Sequence, residues 1–370
     1  MPAQIQSATE SFTLSGSIHI LLQFDVSEEI RLDRLRELLS APTVQQPALK
    51  HPAPGYVRYK RPPVVEPIEP LVLDTGERLP GEIKYYDYGV VSVLLQFPFS
   101  GPWETLIALV SRWTWEIDFA SHASHIVKKR LEAVASALIK PYSEWLSEDY
   151  LIVNVRQVTG SPSAADLVAA HGASIAQVVR GDTLQLSPDE RKEVLQSSIS
   201  YYPTDLAIVG WNAAFLYDTP SGAEAAIQLL EYANSQLLEF RHYDDLLTRV
   251  LDDVYDSFEQ RTGFFNRFRR ANSANRLHTV LLEVMELTER ADNAIKFLSD
   301  MFAARLYRLA AAKVGVLDYK DLVNQKINTA EDLYRFMVDQ FNQSRAFFLE
   351  SAVVIILVIE LIYLFRGKGL

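Results

Sequence analysis

The stretch from Ala346 to Phe365, AFFLESAVVIILVIELIYLF, constrains this chain more than any other feature. Roughly twenty mainly apolar residues in a helix match the hydrocarbon thickness of a bilayer. A single stretch of this kind predicts a C-terminal transmembrane helix over 346–366, with the bulk of the chain on the cytoplasmic side. Two acids interrupt it, Glu350 near one end and Glu360 nearer the other. Each aliphatic residue favours insertion by about 0.3 to 0.6 kcal/mol, while a central acid opposes it by about 2.5 to 3.5 kcal/mol. The balance favours a membrane location, with Glu360 paired to Arg366 or to the helix of a neighbouring copy. The expected partners are therefore the lipid bilayer and further copies of the chain in a homo-oligomer.

The remainder reads as globular. Of 370 residues, 48% are hydrophobic and 22% charged, which sets the chain apart from disordered sequences. The absence of cysteine excludes disulfides, thiol catalysis and thiolate metal sites. A net charge of −11 argues against bulk nucleic-acid binding. The opening residues MPAQIQSATESFTLSG carry neither the basic nor the apolar region of a signal peptide, and the first basic residue is Arg31. No signal or transit peptide is expected.

Periodicity predicts an α+β fold: a mixed α/β N-terminal region followed by long antiparallel helices and the C-terminal transmembrane helix. Residues 1–160 form the α/β domain. Ser17–Phe24 reads as a strand and 28–39 as a helix capped by Ser27. The proline-rich stretch 41–70 reads as loop or edge strand. Leu21-Leu-Gln-Phe24 and Leu94-Leu-Gln-Phe97 each precede a helix, which makes a duplicated split β-α-β unit a candidate. A helix is expected from Glu104 towards Ile139, broken or continuous, then a strand over 150–158. Residues 161–222 form a connecting α/β segment, with a helix break at 180–182 and a hairpin or a pair of short buried strands over 205–218. Residues 223–345 form a helical stalk in long segments with breaks near 261–272 and 314–326. Its apolar positions, such as Leu230, Ala233, Leu237 and Phe240, alternate steps of three and four, the spacing of coiled-coil packing.

The hairpin Asp205–Asp218, followed by Leu229–Asp244, resembles the YagE-like family, named for "required for meiotic nuclear division" and also known as a domain of unknown function. The resemblance covers roughly 85–366. It implies a membrane-associated oligomer, with a link to organellar translation in mitochondrial members, and it brings no enzymatic activity. The chain lacks the presequence of those members, which points to a prokaryotic membrane instead.

Candidate chemistry is sparse. Asp118, His122 and His125 share one face of a helix at i, i+4 and i+7, a spacing that suits zinc or iron, with Glu116 beside them. The bland alternative is a polar helix face. Glu239-Phe-Arg-His242 is an E-x-x-H, but a di-iron bundle needs a second such motif and none is present. No nucleotide-binding glycine loop or G-x-S-x-G occurs, so no cofactor is assigned and none is expected. The link from Arg261 to Arg276 interleaves Arg261, Arg267, Arg269 and Arg270 with Phe264, Phe265 and Phe268. That mixture suits lipid headgroups or an RNA backbone, with nucleic acid ranking below lipid, against the alternative of a solvated connection.

Three functional readings follow. The first is a non-enzymatic, membrane-anchored oligomeric scaffold. The second is a helical metal protein or enzyme using the Asp118/His122/His125 face. The third is an RNA- or translation-linked factor acting through the Arg261–Arg276 link. The tail poses a geometric question in each. A helical hairpin turning near 314–326 would lay it beside Glu283, Glu286 and Glu289, which cannot sit unpaired in lipid.

Overall fold

The computed structural model describes residues 13–39, 62–259, 275–282, 284–285 and 301–367. Its contacts divide the chain into two compact units, Met1–His242 with Ala291–Tyr319, and Tyr243–Arg290 with Lys320–Leu370.

The first unit is built on an eight-stranded mixed sheet in the order β2-β3-β4-β1-β5-β8-β7-β6. Its strands are β1 (Leu14–Ile30), β2 (Val64–Val72), β3 (Arg78–Tyr85), β4 (Val90–Gly101), β5 (Leu138–Val158), β6 (Ser198–Ile199), β7 (Leu206–Val209) and β8 (Ala213–Tyr217). The helices in chain order are α1 (Leu32–Leu39), α2 (Trp103–Trp115), α3 (Phe119–Ala133), α4 (Ala164–Arg180), α5 (Pro188–Gln196), α6 (Pro220–Glu259), α7 (275–282), α8 (Met301–Val314) and α9 (Val316–Arg366).

The centre of the sheet follows from the alternation in β1. Side chains two apart share a face. Ile18, Ile20, Leu22, Phe24 and Val26 point into the main apolar core with residues of α1 to α5, among them Leu35, Trp113, Val127, Ile175 and Val194. Ser17, His19, Gln23, Asp25 and Ser27 point the other way, yet these too are buried. The first half of α6 covers them, as shown by Gln23 Nε2 donating to the Glu231 carbonyl at 2.9 Å and by His242 meeting Asp25. In turn α8 packs on α6, with Tyr307 hydrogen-bonded to Gln236 and tilted against Tyr232.

Several expectations meet this geometry directly. The hairpin over 205–218 is present as β7 and β8. The proline-rich strand is β2, at the edge of the sheet, where Pro67 and Pro70 remove donors without breaking a two-sided ladder. Helix α1 begins at Leu32 and not at Glu28, because β1 continues to Ile30 with Glu29 opposite Ile139. The repeated Leu-Leu-Gln-Phe segments lie on β1 and β4, and the strand order is compatible with two interleaved split β-α-β units, since β4 lies between β1 and β3 and β1 lies between β4 and β5. They are adjacent antiparallel strands, with Leu21 opposite Leu94. The expected break at 314–326 narrows to Gly315, whose φ of +95 turns the chain before α9 starts at Val316.

In the second unit Leu247, Val250, Val254, Leu277, Leu281, Val284, Val323, Ile327, Ala330 and Met337 are buried, so the three-and-four stripe is a packed seam. Lys326 pairs with Asp244 at 2.6 Å and Arg276 with Asp253 at 2.5 Å. His278 stacks on Tyr334 with centroids 4.9 Å apart.

The expected transmembrane helix is corrected. Among the described residues no helix is long and apolar enough to cross a membrane. The uninterrupted apolar stretch 352–359 rises only about 12 Å before Glu360, under half of a hydrocarbon core of about 30 Å. The single-pass location falls with it. The α/β part of the expected fold class stands, and the spanning helix does not.

Candidate functional site

The polar face of the sheet is the most chemically loaded part of the described structure. Cross-strand register gathers it in rows. Lys84 of β3 lies opposite Ser92 of β4, which lies opposite Gln23 of β1. Further along, His19 lies opposite Gln96, and Ser17 lies opposite Asn154 of β5.

Glu231 of α6 enters the first row. Its carboxylate accepts from Lys84 Nζ at 2.7 Å and from Ser92 Oγ at 2.6 Å, with Glu231 only 1% exposed. Lys84 also meets Glu82 at 3.2 Å. Burial alone would push the Lys84 ammonium down, but Glu231 and Glu82 outweigh it and hold it above the ordinary lysine value. A second pair joins buried Asp25 of β1 to half-buried His242 of α6. His242 Nδ1 is 2.8 Å from Asp25 Oδ2, and the Tyr142 ring stacks on His242 at 4.6 Å. Burial raises the Asp25 carboxyl, opposed by His242.

Between the sheet and the start of α6 this face opens into a cleft of about 580 Å³. Its floor is Ser17, His19, Lys84 and Asn154, all buried. Its mouth carries Gln96 and Arg156 on the sheet side and Glu224 on the helix side, all exposed. Ser17 Oγ and His19 Nε2 share a hydrogen bond of 2.9 Å. Desolvation, then the charges of Arg156 and Lys84, lower the His19 pKa to about 4, so the ring is neutral at pH 7. The enclosed His19 Nδ1 and Asn154 Oδ1 have no hydrogen-bond partner among the described residues. Such atoms are uncommon in folded proteins and ask for a donor or acceptor from elsewhere. A serine bonded to a histidine suggests acyl transfer, but among the described residues no third group orients Nδ1, and Ser17 sits in mid-strand between β4 and β5.

The sheet that carries this cleft falls within a matched family region. The family described as "Uncharacterized protein MJ0711, N-terminal domain" matches residues 15–224. The chain belongs to this family. "Uncharacterized protein MJ0711" of Methanocaldococcus jannaschii is 19% identical over 188 residues, covering 51% of this chain and 58% of that protein. The chain thus spans little more than half the length of the relative it matches. No solved structure matches. The MJ0711 N-terminal family replaces the YagE-like resemblance, and the meiotic and organellar-translation expectations are withdrawn with it. The residues that suggested that resemblance are a buried hairpin leading into a buried helix, a pattern set by packing and shared by unrelated folds. The family region runs from the second residue of β1 through β8 and ends at Glu224, so Glu231 and His242 lie beyond it.

The residues singled out from sequence lie elsewhere. Asp118 caps α3, accepting from Ser121 N at 2.9 Å and Ser121 Oγ at 2.6 Å. These bonds hold its carboxyl below the ordinary value. His122 and His125 are exposed on α3, and among the described residues no group of three or more His, Asp or Glu is placed to hold a metal. His242 of the E-x-x-H is engaged by Asp25. Arg261, Phe264, Phe265, Arg267, Phe268, Arg269 and Arg270 lie outside the described residues, as do Glu283, Glu286 and Glu289 and the side chain of Ala346. Glu350, Glu360 and Phe365 are exposed on α9.

Proposed function

We propose that this member of the MJ0711 N-terminal family is a self-assembling, non-enzymatic scaffold whose copies associate through the end of α9. The observation that carries the reading is the exposure there. Val353 to Ile359 and Leu361 to Phe365 are each 49% to 77% exposed, so the helix is apolar on every side. Monomeric proteins rarely expose apolar patches beyond a few hundred Å². A helix hydrophobic all round is a buried helix, and one flat partner face would cover only part of it. Further copies of the same segment supply a matching surface. They also supply a charge partner, since Glu360 of one copy can meet Arg366 of an antiparallel neighbour. A single polar residue in an apolar helix pairing is a device for fixing register.

The test is the mass distribution in solution of the full chain and of an Ile355→Lys/Ile362→Lys variant. Both positions are exposed, so the substitutions leave the packed parts untouched. The expected result is a discrete oligomer for the parent and a monomer for the variant. A monomeric parent, or a parent that partitions into detergent or vesicles without self-association, overturns the reading.

A further inference from the structure

The cleft on the polar face of the sheet has a chemistry of its own, independent of assembly through α9. Its two rims carry opposite charges that nothing nearby neutralises. Arg156 on β5 and Glu224 on α6 make no ion pair among the described residues. The other charges are committed, since Lys84 is held by Glu231 and Glu82. Between the rims lie neutral polar groups: the His19 ring, the amides of Asn154, Gln96 and Gln228, and the Ser17 hydroxyl. Two of these, His19 and Asn154, are 8% and 4% exposed and each keeps an enclosed polar atom without a partner. The apolar part of the lining is aliphatic, with Val65, Pro67, Leu94 and Ile227 and no aromatic platform for a base or a sugar ring.

The size is also informative. A volume of about 580 Å³ is that of a cube roughly 8 Å on an edge, within the range of small-ligand pockets. A ligand that satisfies both rims must carry both charges a short distance apart. It must also bring hydrogen-bonding groups to the floor.

We propose that the cleft binds a small zwitterion with amino-acid head-group chemistry, its carboxylate toward Arg156 and its ammonium toward Glu224, with His19 and Asn154 completing the polar contacts. Arginine supplies a planar, bidentate partner for a carboxylate. A neutral imidazole suits a mixed-charge ligand because it adds no second cation to the carboxylate end.

The experiment is isothermal titration of the full chain with each of the common free amino acids in turn. Acetate and methylammonium serve as probes of each half alone. At least one amino acid should saturate a single site, and neither half-probe should do so at the same concentration. Arg156→Gln and Glu224→Gln should each weaken that binding by roughly ten- to hundredfold, the loss of one charge-assisted hydrogen bond. Both side chains are exposed, so the fold should be unaffected, which the unchanged circular dichroism of the variants checks. If no amino acid binds, or if binding survives both substitutions, the proposal is overturned. Acetate binding that depends on Arg156 alone also overturns it, in favour of a simple anion site. None of these outcomes depends on the oligomeric state, so the assembly reading stands or falls separately.

Discussion

Glu231 of α6 holds the ammonium of Lys84 at 2.7 Å on the covered face of the sheet, with the Lys84 side chain 9% and the Glu231 side chain 1% exposed. The pair joins helix to strand across a long sequence separation, and Ser92 and Gln23 tie the same residue to two further strands. Removing one partner leaves the other charge buried and unpaired. Glu231→Leu is expected to cost roughly 3 to 5 kcal/mol, while Glu231→Leu/Lys84→Met recovers most of the loss because the buried site becomes apolar. Chemical denaturation of the two single variants and the double variant measures this. Simple additivity of the two single losses would show that the pair does not act as a unit.

His19 makes a prediction about pH. Its folded-state pKa of about 4 lies below the ordinary 6.5, because burial and the charges of Arg156 and Lys84 disfavour the imidazolium. The unfolded chain therefore binds the proton more readily. The stability that goes with a neutral His19 is fully present above pH 6.5 and is lost as the pH falls towards 4. The loss reaches roughly 3 kcal/mol at most. Stability measured across this window in the parent and in His19→Gln should differ in slope, with the variant flatter. Equal slopes would show that His19 does not stay neutral in the folded protein.

A strand over Ser17–Phe24 was legible in the sequence from its apolar and β-branched residues, and the structure sets one of its faces on the apolar core. The burial of its other face was not legible. Ser17, His19, Gln23 and Asp25 look like the solvent side of a half-buried strand, since nothing within that segment says that a helix from beyond residue 220 covers them. A signal existed in α6 itself. Glu231, Asn234, Ser235 and Gln236 sit among Leu230, Ala233, Leu237 and Leu238, and all are buried. A helix packed between a sheet and α8 has little solvent face, so its polar residues had to meet polar partners. The three-and-four stripe drew attention to the apolar row and hid the adjacent row that builds the site. The tail misled for a different reason. Hydropathy summed over 346–365 is high despite Glu350 and Glu360, yet among the described residues no helix is long and apolar enough to cross a membrane.

The spacing of Asp118, His122 and His125 offers a candidate metal face against the alternative of a polar helix face, and Asp118 caps the start of α3. An N-cap aspartate that accepts from the backbone of the third residue on contributes about 1 kcal/mol. Asp118→Ala should lower stability by about that amount at neutral pH, and Asp118→Ser by much less. Because the Ser121 hydrogen bonds hold the carboxyl below its ordinary value, the contribution is present at neutral pH and is lost as the pH falls through the acid range. Added zinc should change neither result. A zinc-dependent rise in melting temperature that Asp118→Ala abolishes would restore the metal reading.

Gly89 tests the connection between the hairpin and the polar face. It ends the turn between β3 and β4 with φ at +94, a conformation that side chains rarely adopt. Its carbonyl accepts from Val26 N at 3.1 Å, which holds the turn against β1. A Cβ built there would fall 1.7 Å from the Ser27 carbonyl oxygen, a backbone atom of β1. The clash cannot be relieved by rotating a side chain. Gly89→Ala is therefore expected to destabilise the chain by 3 kcal/mol or more, roughly, combining left-handed strain with displacement of β1. The same substitution at Gly76, also at positive φ but with nothing within 4 Å, should cost only the strain, roughly 1 kcal/mol. Thermal denaturation of both variants separates the two contributions. If Gly89→Ala were no worse than Gly76→Ala, the close approach of the turn to β1 would be refuted.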